Sequence, residues 1–220
     1  MMITNLKICG ITTRETALFC AENGVGALGA VFFRKSPLYV TAQKARAMFE
    51  DLPTRIARVG VFANLPAEEM IEIAREAALD TVQMHGTESQ TDIAKVERAG
   101  FRVVKVLVDT GENLLEAARA LPTSVGILVE CGHGILPGGN GAAWHWEKAA
   151  PLADLRPFAL AGGLTPQNFL KAARVSRATA WDVSSGVETA PGIKGHDRIR
   201  ALVNTAMKHY DPSSPSFWKR

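Results

Sequence analysis

Cys9, His85 and Glu130 each stand at or beside the end of a short apolar run, in Ile3–Cys9, Thr81–His85 and Gly126–Cys131. A thiol at the end of a buried segment serves as a general base if its thiolate is stabilised locally; the alternative is a cysteine that only packs. Glu130 closes the wholly apolar Val125-Gly126-Ile127-Leu128-Val129. A carboxyl there is costly unless paired or used, which suits a general acid. His85 either donates a hydrogen bond to a sugar hydroxyl or satisfies a nearby loop carbonyl. Two further runs end in glycine-rich turns, Ala161-Gly162-Gly163-Leu164 and Asp182-Val183-Ser184-Ser185-Gly186-Val187-Glu188. Backbone N–H groups left open by glycine make an anion cradle, so Gly162, Gly163, Ser185 and Gly186 point to a bound phosphate, with Asp182 beside them. Gly138 and Gly139, in Gly138-Gly139-Asn140-Gly141, add a third donor-rich loop able to close over a ligand.

What positions these residues is an unbroken alternation. Eight short, β-branched runs, Ile3–Cys9, Ala27–Phe33, Ala57–Ala63, Thr81–His85, Val103–Val108, Gly126–Cys131, Pro157–Ala161 and Ala180–Ser184, are each followed by a stretch with helical spacing. The helices are expected at Thr13–Glu22, Thr41–Asp51, Pro66–Ala77, Glu88–Ala99, Glu112–Ala120, Trp144–Ala150, Thr165–Ala173 and His196–Lys208. Such a pattern allows a doubly wound open sheet or a closed barrel. Eight complete units, and a first turn reading Cys9-Gly10-Ile11-Thr12 where a dinucleotide fold needs G-x-G-x-x-G, favour a single-domain (βα)8 TIM barrel. In that fold residues just past the strands line the active site, which is where the chemistry collects. The barrel is expected over residues 1–210, with 211–220 as a tail in which Phe217 and Trp218 make a packing strap conceivable.

Composition closes off other classes. Of 220 residues 47% are hydrophobic and 21% charged, proportions of a folded chain and not a disordered one. Twenty-five Lys and Arg against 22 Asp and Glu leave +3, scattered along the chain, so no nucleic-acid surface is indicated. Cys9, Cys20 and Cys131 form neither a disulfide framework nor a C-x-x-C pair and fit a reducing cytoplasm, Cys20 and Cys131 as packing residues. The five histidines are dispersed, so no metal site is expected. Charges interrupt every apolar run, and no export signal or membrane span is expected.

Six separated motifs together resemble one family, phosphoribosylanthranilate isomerase of tryptophan biosynthesis, over residues 3 to about 208. They are Lys7-Ile8-Cys9-Gly10-Ile11-Thr12; Phe32-Phe33 with Lys35-Ser36-Pro37 and Tyr39-Val40; Val82-Gln83-Met84-His85-Gly86; Gly138-Gly139-Asn140-Gly141 with Trp146; Leu160-Ala161-Gly162-Gly163-Leu164 with Asn168; and Asp182 to Glu188 with Gly192-Ile193-Lys194. The resemblance implies a cofactor-free Amadori rearrangement of an aminoaldose phosphate to an aminoketose phosphate, by a monomer or homodimer. Cys9 falls on the position of the base that removes the C2 proton, and Glu130 on that of the acid that protonates the ring oxygen. The loops at Gly162-Gly163 and Ser185-Gly186 fall on the phosphate site.

Two positions depart from the family's pattern. Glu130 stands where aspartate is usual, a displacement of about one methylene at the carboxyl. Leu38 stands where the family reads K-S-P-R, the arginine lying near the anthranilate carboxylate; Arg34 is the nearest candidate to compensate. The departures leave open a working isomerase with a rearranged site, a paralogue for another phosphorylated sugar derivative lacking that carboxylate, or a binder without turnover.

Overall fold

In a computed structural model describing residues 2–109, 113–131 and 145–219, eight parallel strands close into a barrel in sequence order. They are β1 (Ile3–Cys9), β2 (Val25–Val31), β3 (Ala57–Phe62), β4 (Thr81–Met84), β5 (Arg102–Asp109), β6 (Gly126–Cys131), β7 (Ala159–Leu160) and β8 (Ala180–Val183), with β8 pairing back onto β1. The connecting helices are α1 (Arg14–Glu22), α2 (Ala42–Phe49), α3 (Ala67–Glu76), α4 (Gln90–Arg98), α5 (Leu114–Ala120), α6 (Phe169–Ser176) and α7 (His196–Ala206). Past β8 come a 3-10 turn, Ser185–Val187, and a short hairpin of β9 (Glu188–Ala190) and β10 (Ile193–Lys194).

Local chemistry sets the helix starts. Thr13, Thr41 and Asn113 accept first-turn N–H groups, and Ser89 and Asp92 form a reciprocal capping box. That box starts α4 after Glu88, which turns inward instead and accepts from Lys105 Nζ, Asn64 N and Gly86 N. The seventh helix begins at Phe169 and not at Thr165, because Asn168 Oδ1 takes the Thr165 N–H at 2.7 Å and folds Thr165–Asn168 into a turn. The stretch expected as a helix at Trp144–Ala150 is a 3-10 helix, Trp146–Asp154, with Pro151 inside it; proline lacks the N–H that an α-helical ladder needs there. Trp144 lies outside the described residues.

Strand alternation divides the apolar residues between two cores. Those facing outward pack under the helices: Leu6, Ile8, Val82, Val103, Ile127 and Leu160 belong to the large cluster. Those facing inward fill the barrel with small residues, among them Ala27, Ala57, Ala159 and Ala180. The space they leave at the N-terminal end is taken by the tail, whose Phe217 and Trp218 belong to the same inner cluster, Trp218 with no exposed surface. Asn5 Oδ1 accepts from the Phe217 N–H at 2.8 Å, Asn5 O from the Trp218 indole at 3.1 Å, and Thr81 Oγ1 donates to Trp218 O at 2.7 Å.

Candidate active site

The C-terminal ends of the strands converge on one cavity of about 330 Å³. Cys9, His85, Glu130, Gly162, Gly163, Asp182, Ser185 and Gly186 all line it, although they come from five different strand ends. Gly138 and Gly139 lie outside the described residues, as does the side chain of Cys131. Cys9 on β1 and Glu130 on β6 stand three strands apart round the barrel.

Beneath the cavity is a charged floor. Lys7 sits two residues before Cys9, on the same inward face of β1, fully buried, with Nζ 2.7 Å from Asp182 Oδ2 on the neighbouring β8. Burial works against the ammonium, but Asp182 and Cys9 outweigh it and hold its pKa above the ordinary value. The same burial pushes the Cys9 thiol up; the Lys7 charge pulls it back and Asp182 pushes it up, so it stays above its ordinary 9.0. Among the described residues Asp182 Oδ1 and Gln83 Oε1 have no hydrogen-bond partner, and both residues line the cavity. A buried acceptor left open is costly unless a ligand donor fills it.

On the far wall His85 Nε2 lies 3.2 Å from Glu130 Oε2, both side chains nearly enclosed. Burial, then the charges of Lys105 and Lys7, push the His85 pKa down to about 4. The imidazole is therefore neutral at pH 7, and its contact with Glu130 is a hydrogen bond of an uncharged ring, not an ion pair. Behind it Lys105 Nζ bonds Glu88 Oε2 at 2.9 Å and also donates to Gly86 O, which pins the turn following His85.

The glycine loops are locked from outside. Gly162 and Gly163 hold φ of 87° and 68°, a region side chains rarely adopt, while the Trp146 indole donates to Gly162 O at 3.0 Å and Asn168 Nδ2 to Gly163 O at 2.7 Å. Gly186 is packed so closely that a Cβ would fall 1.8 Å from Leu164 O. Lys194 Nζ bonds Glu188 at 2.7 Å and Ser184 O at 3.1 Å, and Ser184 Oγ donates to Cys9 O at 3.2 Å, which ties the β8 loop to β1. Gly186→Ala should therefore push the two loops apart, cost about 1–3 kcal/mol in stability and weaken inorganic phosphate binding, checked by urea unfolding and calorimetric titration.

The remaining wall is apolar. Leu38 packs against Cys9, Val31 and Val61 with Phe33, and its methyls cover Gly10. Arg34 does not reach the cavity; its guanidinium lies over the Tyr39 ring, 5.7 Å from the centroid. Among the described lining residues there is neither lysine nor arginine. Reading the strand ends missed Lys7, Gln83 and Lys194. The signal for Lys7 was present: a lysine at an inward position of Ile3–Cys9, two before the cysteine, has to be paired or functional.

The sequence profile of the family described as N-(5'phosphoribosyl)anthranilate (PRA) isomerase matches residues 6–205. The N-(5'-phosphoribosyl)anthranilate isomerase of Pseudomonas fluorescens (strain Pf0-1) is 40% identical over 204 residues, 93% of this chain and 98% of that protein. The phosphoribosyl anthranilate isomerase structure from Thermus thermophilus superposes with a TM-score of 0.85 at 34% identity, covering 93% of this chain and 99% of the other. A phosphoribosyl anthranilate isomerase in complex with reduced 1-(o-carboxyphenylamino)-1-deoxyribulose 5-phosphate gives 0.81 at 36%, covering 94% and all of that chain. A family profile spanning residues 6–205, a relative 40% identical over 93% of the chain and a superposition at a TM-score of 0.85 make this chain a member of the N-(5'-phosphoribosyl)anthranilate isomerase family.

Proposed function

We propose that Cys9 and Glu130 carry the proton transfers of the reaction this enzyme catalyses. That reaction is the isomerisation of N-(5'-phosphoribosyl)anthranilate to 1-(o-carboxyphenylamino)-1-deoxyribulose 5-phosphate in tryptophan biosynthesis. The supporting observation is that a thiol and a carboxyl, three strands apart, line one cavity with the two glycine loops. With the phosphate on Gly162, Gly163, Ser185 and Gly186, the ribose lies between the two groups. Glu130, its proton shared with neutral His85, protonates the furanose oxygen. The C1–O bond breaks as the anilino nitrogen pushes its pair in, and the ring opens to a protonated imine that still carries the N–H proton. The Cys9 thiolate then removes the C2 proton, the C2–H electrons form the enolamine, and tautomerisation places a proton on C1 and a carbonyl at C2. Two electrons move from C2 to C1, with no external oxidant or reductant.

Asp182 Oδ1 and Gln83 Oε1 are the acceptors for ribose hydroxyls. Val31, Phe33, Leu38 and Val61 receive the aromatic ring of the anthranilate. The glutamate at position 130 reaches the ring oxygen with its extra methylene held back by His85.

Loss of substrate fluorescence on addition of the purified chain, together with growth of a tryptophan auxotroph lacking the isomerase, tests the activity directly. Its pH dependence tests the roles. Because the resting thiol titrates above 9.0, the thiolate is scarce at neutral pH and kcat/KM should climb toward about tenfold per pH unit through pH 7–9. Lys7, held above 10.5, stays charged over that range. A flat profile would remove Cys9 as the base.

A further inference from the structure

The tail segment that fills the floor of the barrel reaches the charged centre from below. Lys7 Nζ lies over the Trp218 ring, 5.2 Å from its centroid, within the range at which an aromatic face attracts a cation. The segment that carries the ring is fixed at three points: the indole N–H donates to Asn5 O, the Phe217 N–H donates to Asn5 Oδ1, and Thr81 Oγ1 donates to Trp218 O. Phe217 packs one step away, edge-on to Trp218 and under Arg102, and a Cβ at Gly126 would touch it. The family profile ends at residue 205, so Phe217 and Trp218 lie beyond it.

We propose that Trp218 is a positioning residue for the reaction: its indole face closes the barrel beneath Lys7 and holds the ammonium up against Asp182 and the Cys9 thiol. The inference rests on the reading of Cys9 as the base. A lysine stem is flexible, and a fully buried ammonium with one carboxylate partner still has protons to satisfy. With the indole in place, the underside of Nζ meets a π face instead of water, so the charge stays dry and near the sulfur. Without it, water enters from the N-terminal mouth, the ammonium is solvated, and its field at Cys9 weakens.

The groups that face Lys7 and Cys9 are Asp182 from β8, Lys194 from β10 and His85 beyond β4. Glu130 and Glu188 line the same cavity, Glu188 paired with Lys194. The other neighbour of β1, β2, brings only Ala27, Gly29 and Val31 to the inner face. The aromatic floor meets Lys7 with the uncharged Trp218 ring, while Arg102 lies over the neighbouring Phe217 ring.

The test compares Trp218→Leu, Trp218→Phe and Phe217→Leu in the full chain. Two readouts are used: steady-state kinetics, and the pH dependence of Cys9 alkylation by iodoacetamide, followed by peptide mass spectrometry. Trp218→Leu should lower kcat about tenfold or more with KM changed less than about threefold, the signature of a lost transition-state contribution. Its Cys9 alkylation midpoint should rise by about half a pH unit or more, reflecting the weaker field of Lys7. Trp218→Phe keeps a π face and should restore most of both. Phe217→Leu loosens the floor without touching Lys7; it should lose stability and leave the alkylation midpoint in place. If Trp218→Leu does not fold, Trp218→Met, closer in volume, replaces it. Equal midpoints in the aliphatic variant and the wild type, or equal shifts in Phe217→Leu, would overturn the proposal. Alkylation reads the Lys7–Cys9 contact whatever the base is, so a failure of Cys9 as base shows separately, as retained turnover in Cys9→Ala.

Discussion

Cys9→Ala should lower kcat by about 10²–10⁴-fold while KM stays within about threefold, because the general base we propose it to be acts in the transition state and adds little to ground-state binding. The size follows from the site. Cys9 lines the cavity beside Asp182, and among the described lining residues no second thiol, lysine or arginine stands ready to take the C2 proton. His85, neutral at pH 7, is engaged with Glu130. Stopped-flow loss of substrate fluorescence gives kcat, and titration with the reduced product analogue gives binding. A variant that keeps a tenth of wild-type turnover would take the thiol out of the mechanism.

The second large effect concerns Lys7. Lys7→Met leaves the Asp182 carboxylate buried, its cation gone and its other oxygen already without a partner among the described residues. Breaking a buried pair from one side costs about 3–5 kcal/mol, a large share of the 5–15 kcal/mol typical of a whole domain. The double variant Lys7→Met with Asp182→Leu removes both charges and should regain at least half of that loss, since matched apolar groups replace a buried pair at little cost. Turnover should stay low in both, because both lose the field of Lys7 at Cys9 and the double variant loses the Asp182 acceptor as well. Urea midpoints and kcat read the two effects separately. A single variant within about 1 kcal/mol of wild type would mean that the contact between Lys7 and Asp182 adds little to stability.

Much of this was legible in the residues. β1 and β6 run over the stretches their apolar pattern marks, Ile3–Cys9 and Gly126–Cys131, and Cys9, His85, Glu130, Gly162, Gly163, Asp182, Ser185 and Gly186 line one cavity, while Arg34, Asn64 and Asp109 at other strand ends do not. A strand that is buried on both faces declares itself by its apolar run, and the barrel then decides where its end points. What failed to show depended on partners far away in sequence. Glu88 reads as a helix start until Lys105 on β5 takes it. The run Pro157–Ala161 contributes only Ala159 and Leu160 to the sheet, since strand length is set by the neighbours that pair with it. The tail has no periodicity, and its burial requires small residues on four other strands. Leu38 was visible as a departure, but only the folded wall of Val31, Val61 and Phe33 shows what a leucine does there.

The first strand and the last few residues of the chain are each other's support. Asn5 binds Phe217 and Trp218, the Thr4 and Tyr210 hydroxyls meet at 2.8 Å, and Lys7 is neutralised by Asp182. Asn5 and its two aromatic partners lie more than 200 residues apart, so β1 gains its floor only when the two extremes of the fold meet, and loosening either one should unseat the other.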